Sequence, residues 1–112
     1  MSDYVPDEGD VIWLEFDPQA GHEQAGHRPA VVLSPRIYND RQSLMLCCPI
    51  TTKIKGHPWE VVLGGDVASA VLADQIKSLD WRVRKAQKKG GVTREELIRV
   101  RKLAKALIGR SV

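Results

Sequence analysis

The sequence lacks the segments that would carry a protein into or across a membrane. No apolar run among its 112 residues approaches the roughly 20 residues that a transmembrane helix needs. The N-terminal stretch MSDYVPDEGD is acidic and has no apolar core of the kind found in secretory signals. We therefore expect a cytoplasmic protein with no membrane partner.

Cysteine is also scarce. The two cysteines, Cys47 and Cys48, are adjacent, so on a strand their side chains would point to opposite faces and a mutual disulfide would be strained. No C-x-x-C pair or Cys/His spacing typical of a zinc site is present. We expect two buried, reduced thiols and no metal or cofactor bound by them.

Familiar catalytic motifs are missing as well. There is no G-x-S-x-G elbow, which disfavours a serine hydrolase, and no Walker A or G-x-G-x-x-G motif, which disfavours nucleotide-dependent chemistry. No internal repeat, low-complexity tract or linker interrupts the chain. These features predict one domain over residues 1–112.

The net charge of +3 hides an asymmetry along the chain. Residues 1–80 hold 6 Lys/Arg against 12 Asp/Glu, a balance of −6, whereas residues 81–112 hold 11 against 2, a balance of +9. A basic C-terminal third can contact nucleic acid, an acidic partner or only solvent. Charge alone does not choose among these.

Hydrophobic patterning predicts a mostly β domain. Strands are expected at 11–16, 29–34, 43–49 and 59–63, with one or two more within 70–81, a spacing typical of a small barrel or sandwich. Only 93–109 has helical period, and it opens with the capping box Thr93 and Glu96. Its expected apolar stripe consists of Leu97, Val100, Leu103, Ala104, Leu107 and Ile108. The prediction is a β-barrel with a C-terminal amphipathic helix.

A polar loop, GHEQAGHRP, precedes the second strand. His22, Glu23 and His27 are possible metal ligands, but nothing in their spacing fixes a coordination geometry. Arg28 joins this loop to a rigid apolar strand, a placement that suits bidentate contact with a phosphate. Thr51 or Thr52, in PITTK after the third strand, can donate a hydroxyl to a phosphate oxygen.

Three segments together resemble one family. GDVIWLEFDPQAGHEQAGHRPAVVLSPRIYN, CCPITTKIKGHPWEVVL and VLADQIKSLDW are similar to the MazF/PemK family of toxin endoribonucleases, over residues 4 to about 109. The pattern G-x-E-Q-x-G-x-R-P-x-V-V-L-S is specific because it joins a loop and a strand in unbroken order.

The resemblance implies an SH3-like barrel with a C-terminal α-helix that acts as a homodimer. It implies metal-independent, cofactor-free cleavage of single-stranded mRNA at a short sequence, in which a 2′-hydroxyl attacks the adjacent phosphorus. The products would carry a 2′,3′-cyclic phosphate or 3′-phosphate and a 5′-hydroxyl. By match to the family motif, Arg28 and Thr51 are the catalytic pair and Glu23 also takes part. A paired, acidic MazE-like antitoxin would cover the RNA-binding surface.

The chemistry of the residues can be set beside this implication. RNA carries its own nucleophile, which explains why no serine, cysteine or metal is required. Arginine is a poor base because its pKa exceeds about 12, so Glu23 and His27 are the more natural bases. The candidate RNA-binding residues are Gln24, His27, Lys53, Gln75 and Lys77.

Two rival functions use the same fold. One is a toxin that poisons a topoisomerase (gyrase) and cleaves nothing; the other is a non-catalytic RNA-binding barrel. The EQAGHRP and PITT segments favour the nuclease over the topoisomerase poison, which needs neither an arginine nor a threonine poised for phosphoryl chemistry. The RNA-binding barrel would bind RNA without producing new ends.

Overall fold

The computed structural model describes residues 3–16 and 26–109. Within them the chain forms seven strands and two helices. In chain order they are β1 (Asp10–Phe16), β2 (Gly26–Val32), α1 (Arg36–Gln42), β3 (Leu44–Thr51), β4 (Glu60–Leu63), β5 (Ser69–Leu72), β6 (Lys77–Asp80), β7 (Gln87–Gly91) and α2 (Arg94–Ile108).

The strands form one antiparallel sheet in the order β4-β5-β3-β2-β1-β7, with β6 also paired to β3. β3 is the central element because it pairs with β2, β5 and β6 along different parts of its length. The sheet curls into a half-barrel closed on one side by the C-terminal helix. The predicted fold, a mostly β barrel with a C-terminal amphipathic helix, is confirmed.

Each face of the sheet carries its own hydrophobic core. The first core is formed by Ile12, Leu14, Ala30, Val32, Met45, Cys47 and Trp81. The second core is formed by Val31, Cys48, Val61, Val71, Ala73 and Val100, the last of these from α2. The adjacent pairs Val31/Val32 and Cys47/Cys48 each divide between the two cores, because successive strand residues point to opposite faces. Both cysteines are free and buried, as predicted.

The helix α2 begins with the predicted capping box. The Thr93 hydroxyl accepts the Glu96 amide at 3.1 Å, and the Glu96 carboxylate accepts the Thr93 amide at 2.8 Å. The predicted apolar stripe is right as far as Ala104 but wrong for the last turn, where Leu107 is 56% and Ile108 77% exposed. These two side chains are exposed because the end of the helix extends beyond the core.

Two elements were not predicted, and one strand was misplaced. The predicted strand 29–34 lies at Gly26–Val32, and Pro35 is the N-cap of the unpredicted helix α1. β7, with the sequence QKKGG, pairs with β1. Neither helix of the described ranges is long and apolar enough to cross a bilayer.

Candidate active site

Arg28 lies near the start of β2, on the face of the sheet that carries the first core. Alternation along β2 places Arg28 on the same face as Ala30 and Val32, which are buried in the first core. Arg28 is paired with Leu14 of β1 and is itself exposed. The strand therefore fixes the backbone of this arginine while its guanidinium reaches the rim.

The register between β2 and β3 brings Thr51 to the same place. Ala30 is the partner of Pro49, and continuing that register by two residues sets Arg28 level with Thr51 on the same face. Pro29 lacks an N–H donor, which accounts for the end of the hydrogen-bonded ladder at this point. The two strands thus present an arginine and a threonine side by side where their pairing ends.

The hydroxyl of Thr51 already accepts one hydrogen bond within the protein. Its Oγ1 accepts the backbone N–H of Lys53 at 3.0 Å. This contact uses an oxygen lone pair and leaves the hydroxyl hydrogen available to another acceptor. Thr51 is half-buried and its backbone pairs with Ala70 of β5, which fixes the position of the residue. The arrangement suits donation of a hydrogen bond to an anion.

A small pocket of about 60 Å³ opens between these strands. Its lining consists of Leu14, Arg28, Pro29, Ala30, Cys47, Pro49, Ile50, Lys77 and Leu79. Lys77 is brought there by its pairing with Cys47, across β3 from β2. The described lining holds two cations on an apolar wall and no carboxylate, which favours an anionic ligand.

Burial makes the two cysteine thiols unreactive. Cys47 is 1% exposed, and burial raises the pKa of its thiol to about 11, although Lys77 and Arg84 oppose the rise. Burial likewise raises the pKa of Cys48, on the other face, to about 12. Neither thiol is a thiolate near neutral pH, so neither is poised as a nucleophile.

His27 does not join Arg28. It faces the opposite side of β2, where its ring centroid lies 6.5 Å from that of Trp13. The Lys89 Nζ lies 5.3 Å from the centroid of the same Trp13 ring. Neighbouring strand residues point to opposite faces, so the imidazole and the guanidinium are separated by the sheet itself.

The other predicted residues are distributed around the pocket or lie elsewhere. Lys53 is exposed just after Thr51, and Gln75 is exposed in the connection between β5 and β6, next to the strand that carries Lys77. His22, Glu23 and Gln24 lie outside the described residues. In the part of the chain that the structure describes, no three His, Cys, Asp or Glu side chains gather as a metal site would require.

Two features were missed in the sequence. A cleft of about 540 Å³ on the second face is lined by Trp13, Pro29, Ile50, Val67 and Lys89 among others. The rings of His57 and Trp59 are stacked, with centroids 4.8 Å apart and planes inclined by 10°. The available signal for the stack was a histidine and a tryptophan two residues apart in a segment interpreted only as a turn.

A curled antiparallel half-barrel with a cationic pocket among β1, β2, β3 and β6 defines a small protein suited to binding an anionic chain. Comparison with known proteins identifies the family. Residues 7–108 match the family described as PemK-like, MazF-like toxin of type II toxin-antitoxin system. The chain therefore belongs to the PemK-like, MazF-like toxin family, and the resemblance inferred from its sequence is confirmed.

Individual relatives agree with this assignment. The endoribonuclease toxin MazF of Escherichia coli K12 is 56% identical over 110 residues, covering 97% of this chain and 99% of that protein. A crystal structure of MazF from Deinococcus radiodurans has a TM-score of 0.86 at 49% identity, covering 96% of this chain and 100% of that one. A MazE-MazF complex from the same organism has a TM-score of 0.86 at 44% identity, covering 97% and 100%.

Proposed function

We propose that this chain is a sequence-specific, ribosome-independent endoribonuclease that cleaves single-stranded mRNA without a metal, as the toxin of a type II toxin–antitoxin pair. The observation that carries the proposal is the cationic pocket lined by Arg28 and Lys77, together with a β2–β3 register that, extended by two residues, sets Thr51 level with Arg28. Relatives named as endoribonucleases, matched over nearly their whole length, support it.

The proposed reaction needs little from the protein besides charge and position. The 2′-hydroxyl loses its proton and attacks the adjacent phosphorus; the bond from phosphorus to the 5′-oxygen then breaks and that oxygen takes up a proton. A 2′,3′-cyclic phosphate, or the 3′-phosphate formed from it by hydrolysis, and a 5′-hydroxyl remain. Arg28 contacts the non-bridging oxygens with its planar fork, where negative charge accumulates. Thr51 donates its hydroxyl to the same group, since its oxygen already accepts the Lys53 amide.

We propose Glu23 for proton transfer, because a carboxylate is a more natural base than arginine near neutral pH and the family resemblance implicates this residue in activity. Arg28 is too basic for the task, with a pKa above about 12. His27 faces away from Arg28, toward Trp13, so it is better suited to contact RNA that passes over the second face than to deprotonate the 2′-hydroxyl. Gln24, Gln75, Lys53 and Lys77 are proposed to hold the flanking nucleotides.

Partners follow from charge and exposed apolar surface. Ile98, Leu107 and Ile108 on α2 are all more than half exposed, which supports a homodimer that covers some of them. The balance of +9 over residues 81–112 suits an acidic MazE-like antitoxin in the cytoplasm. A relative from D. radiodurans crystallises as a MazE-MazF complex, in line with this proposal.

The proposal is tested by incubating the purified protein with a long single-stranded RNA in excess EDTA and mapping the product ends. We expect 5′-hydroxyl ends opposite 2′,3′-cyclic or 3′-phosphates. Arg28→Ala and Thr51→Val should each lower the rate by about 10² to 10³, the usual loss for one group that stabilises a transition-state charge. Thr51→Ser, which keeps the hydroxyl, should retain most activity.

Arg41→Ala provides the matched control, since it removes an exposed arginine on α1 that is not in the pocket lining. Intact RNA with wild-type protein refutes the nuclease. Binding without new ends would favour the non-catalytic barrel, and poisoning of a topoisomerase without RNA cleavage would favour the other rival. Metal-dependent cleavage that leaves 5′-phosphates would restore a metal site with His22 and His27.

A further inference from the structure

The loop between β3 and β4, residues 52–59, leads directly away from Thr51. Residues 52–58 are all exposed, and the loop contains two lysines, Lys53 and Lys55, and no acidic residue. Such a segment is cationic. Because it begins at the residue after Thr51, it lies beside the position assigned to the reacting phosphate.

Although it is exposed, this loop has a defined shape. The Glu60 carboxylate, at the start of β4, accepts the Gly56 amide at 2.8 Å and the Lys55 amide at 3.2 Å. The Glu60 amide in turn donates to the His57 carbonyl at 3.1 Å. Gly56 adopts φ +80°, a left-handed conformation that other residues rarely take. These contacts fold the loop back on itself and hold its tip in place.

The tip carries the His57–Trp59 stack. Trp59 is half-buried, and its carbonyl accepts the Ala73 amide at 3.1 Å, which ties it to the connection that contains Gln75. His57 is exposed and lies parallel to the indole. The anchored indole therefore carries an exposed imidazole stacked parallel to it. The two rings form a flat platform in the same loop as Lys53 and Lys55.

Because the imidazole is exposed, its burial contributes little to this arrangement. Single-stranded RNA, in contrast, is bound by stacking its splayed bases on aromatic or histidine rings while lysines contact its phosphates. The loop offers both of these elements in sequence, starting from the residue assigned to the reacting phosphate.

We infer that His57, supported by Trp59, stacks on a base that flanks the cleaved phosphate and so contributes to substrate selection. The inference rests on the proposed ribonuclease function and extends it to a base subsite on the β3–β4 loop. Lys53 and Lys55 hold the phosphates on the way to that subsite.

The test uses full-length protein and an RNA of the mapped cleavage sequence, made uncleavable by a 2′-deoxy substitution at the attacking nucleotide. 2-Aminopurine, whose fluorescence is quenched by stacking, replaces each flanking base in turn. At one position the wild type should quench it; His57→Ala should abolish the quenching and weaken binding about 5- to 100-fold, the usual range for one stacked base. His57→Phe should restore both, because it keeps a ring without a charge.

Lys55→Ala is the matched control on the same loop. It should reduce the salt dependence of binding by about one counterion and leave the quenching intact. Circular dichroism and thermal unfolding verify that the variants are folded. Equal binding and quenching by wild type and His57→Ala would overturn the base subsite while leaving the nuclease in place.

A wild type that neither binds nor cleaves RNA would overturn the nuclease and the subsite together. If His57→Ala instead weakened binding of an acidic antitoxin peptide with RNA binding unchanged, the stack would serve the protein partner and the inference would also fall.

Discussion

Replacing Asn39 should disrupt the region that joins α1 to the N-terminal segment. Its side chain is 0% exposed and makes three hydrogen bonds: Nδ2 donates to the Pro6 carbonyl at 2.8 Å and to the Ser34 carbonyl at 3.0 Å, and Oδ1 accepts the Ser34 hydroxyl at 2.6 Å. Asn39→Ala leaves these buried partners unsatisfied, at about 1–3 kcal/mol each before relaxation. Because the Ser34 hydroxyl can reorient, we expect a net loss of about 3–5 kcal/mol, a large part of a typical domain stability of 5–15 kcal/mol.

Such a loss corresponds to a melting temperature lower by about 15 °C for a chain of this length. The measurement is urea and thermal unfolding followed by tryptophan fluorescence at fixed protein concentration, since the midpoint of the proposed dimer would depend on concentration. Gln42→Ala, an exposed amide on the same helix, is the control and should change stability little. A loss below about 1 kcal/mol for Asn39→Ala would refute the reasoning.

Asn39→Asp sharpens the same test. It places a carboxylate oxygen where Nδ2 stood, against the carbonyls of Pro6 and Ser34, so the folded protein should raise the pKa of the new carboxyl. A raised carboxyl pKa destabilises the fold at high pH, and the deficit shrinks as pH falls and the group is protonated. Asn39→Asp should therefore be less stable than Asn39→Ala at pH 7 and recover toward pH 5, unlike the exposed control Gln42→Glu. A deficit independent of pH would contradict this account.

Two further outcomes follow from titratable groups. Burial opposes the charge of Glu96, but amide hydrogen bonds from Thr93 and Gly64 outweigh it and lower the pKa of this carboxyl below its ordinary 4.5. The stabilisation that the charged Glu96 provides is present above that value and is lost as pH falls through the folded pKa. Glu96→Gln should therefore lower the free energy of unfolding by about 1 kcal/mol at pH 7, measured by urea unfolding. The difference from the wild type should narrow in acid. A pH-independent difference would show that the charge plays no part. Cys47 and Cys48, whose pKa values burial raises to about 11 and about 12, should react with a thiol reagent at pH 8 only as fast as the protein opens, and at once in denaturant. Immediate reaction of either thiol in the native protein would contradict the burial.

The elements that the sequence predicts well are those whose cause is local. The capping box and the period of α2 lie within seventeen consecutive residues, and the adjacent cysteines needed only the two-residue alternation of a strand. Helix α1 escaped prediction because Pro35 supplies no side-chain cap and its seven residues depend on the buried Asn39 network. β7 escaped because QKKGG has no apolar alternation, and only pairing with β1 makes it a strand.

The candidate site was predictable in composition but not in geometry. Arg28 and Thr51 were selected first from their positions beside predicted strands and then by the family resemblance. The register that sets them level is one that no local pattern reveals. The separation of His27 from Arg28 follows from alternation alone. It was missed because the strand was expected to begin at residue 29, whereas it begins at Gly26 and includes both side chains.

The dependence of the proposed site on the β2–β3 register determines when a newly synthesised chain can become active. A slip of one residue between these strands would turn every β2 side chain to the wrong face and part Arg28 from Thr51. In the proposed mechanism, a chain in which these strands are unpaired or mispaired does not cleave RNA, and activity arises only once β2 and β3 have reached their final alignment. The time between synthesis and that alignment is an interval in which an antitoxin can meet its target before any message is cut.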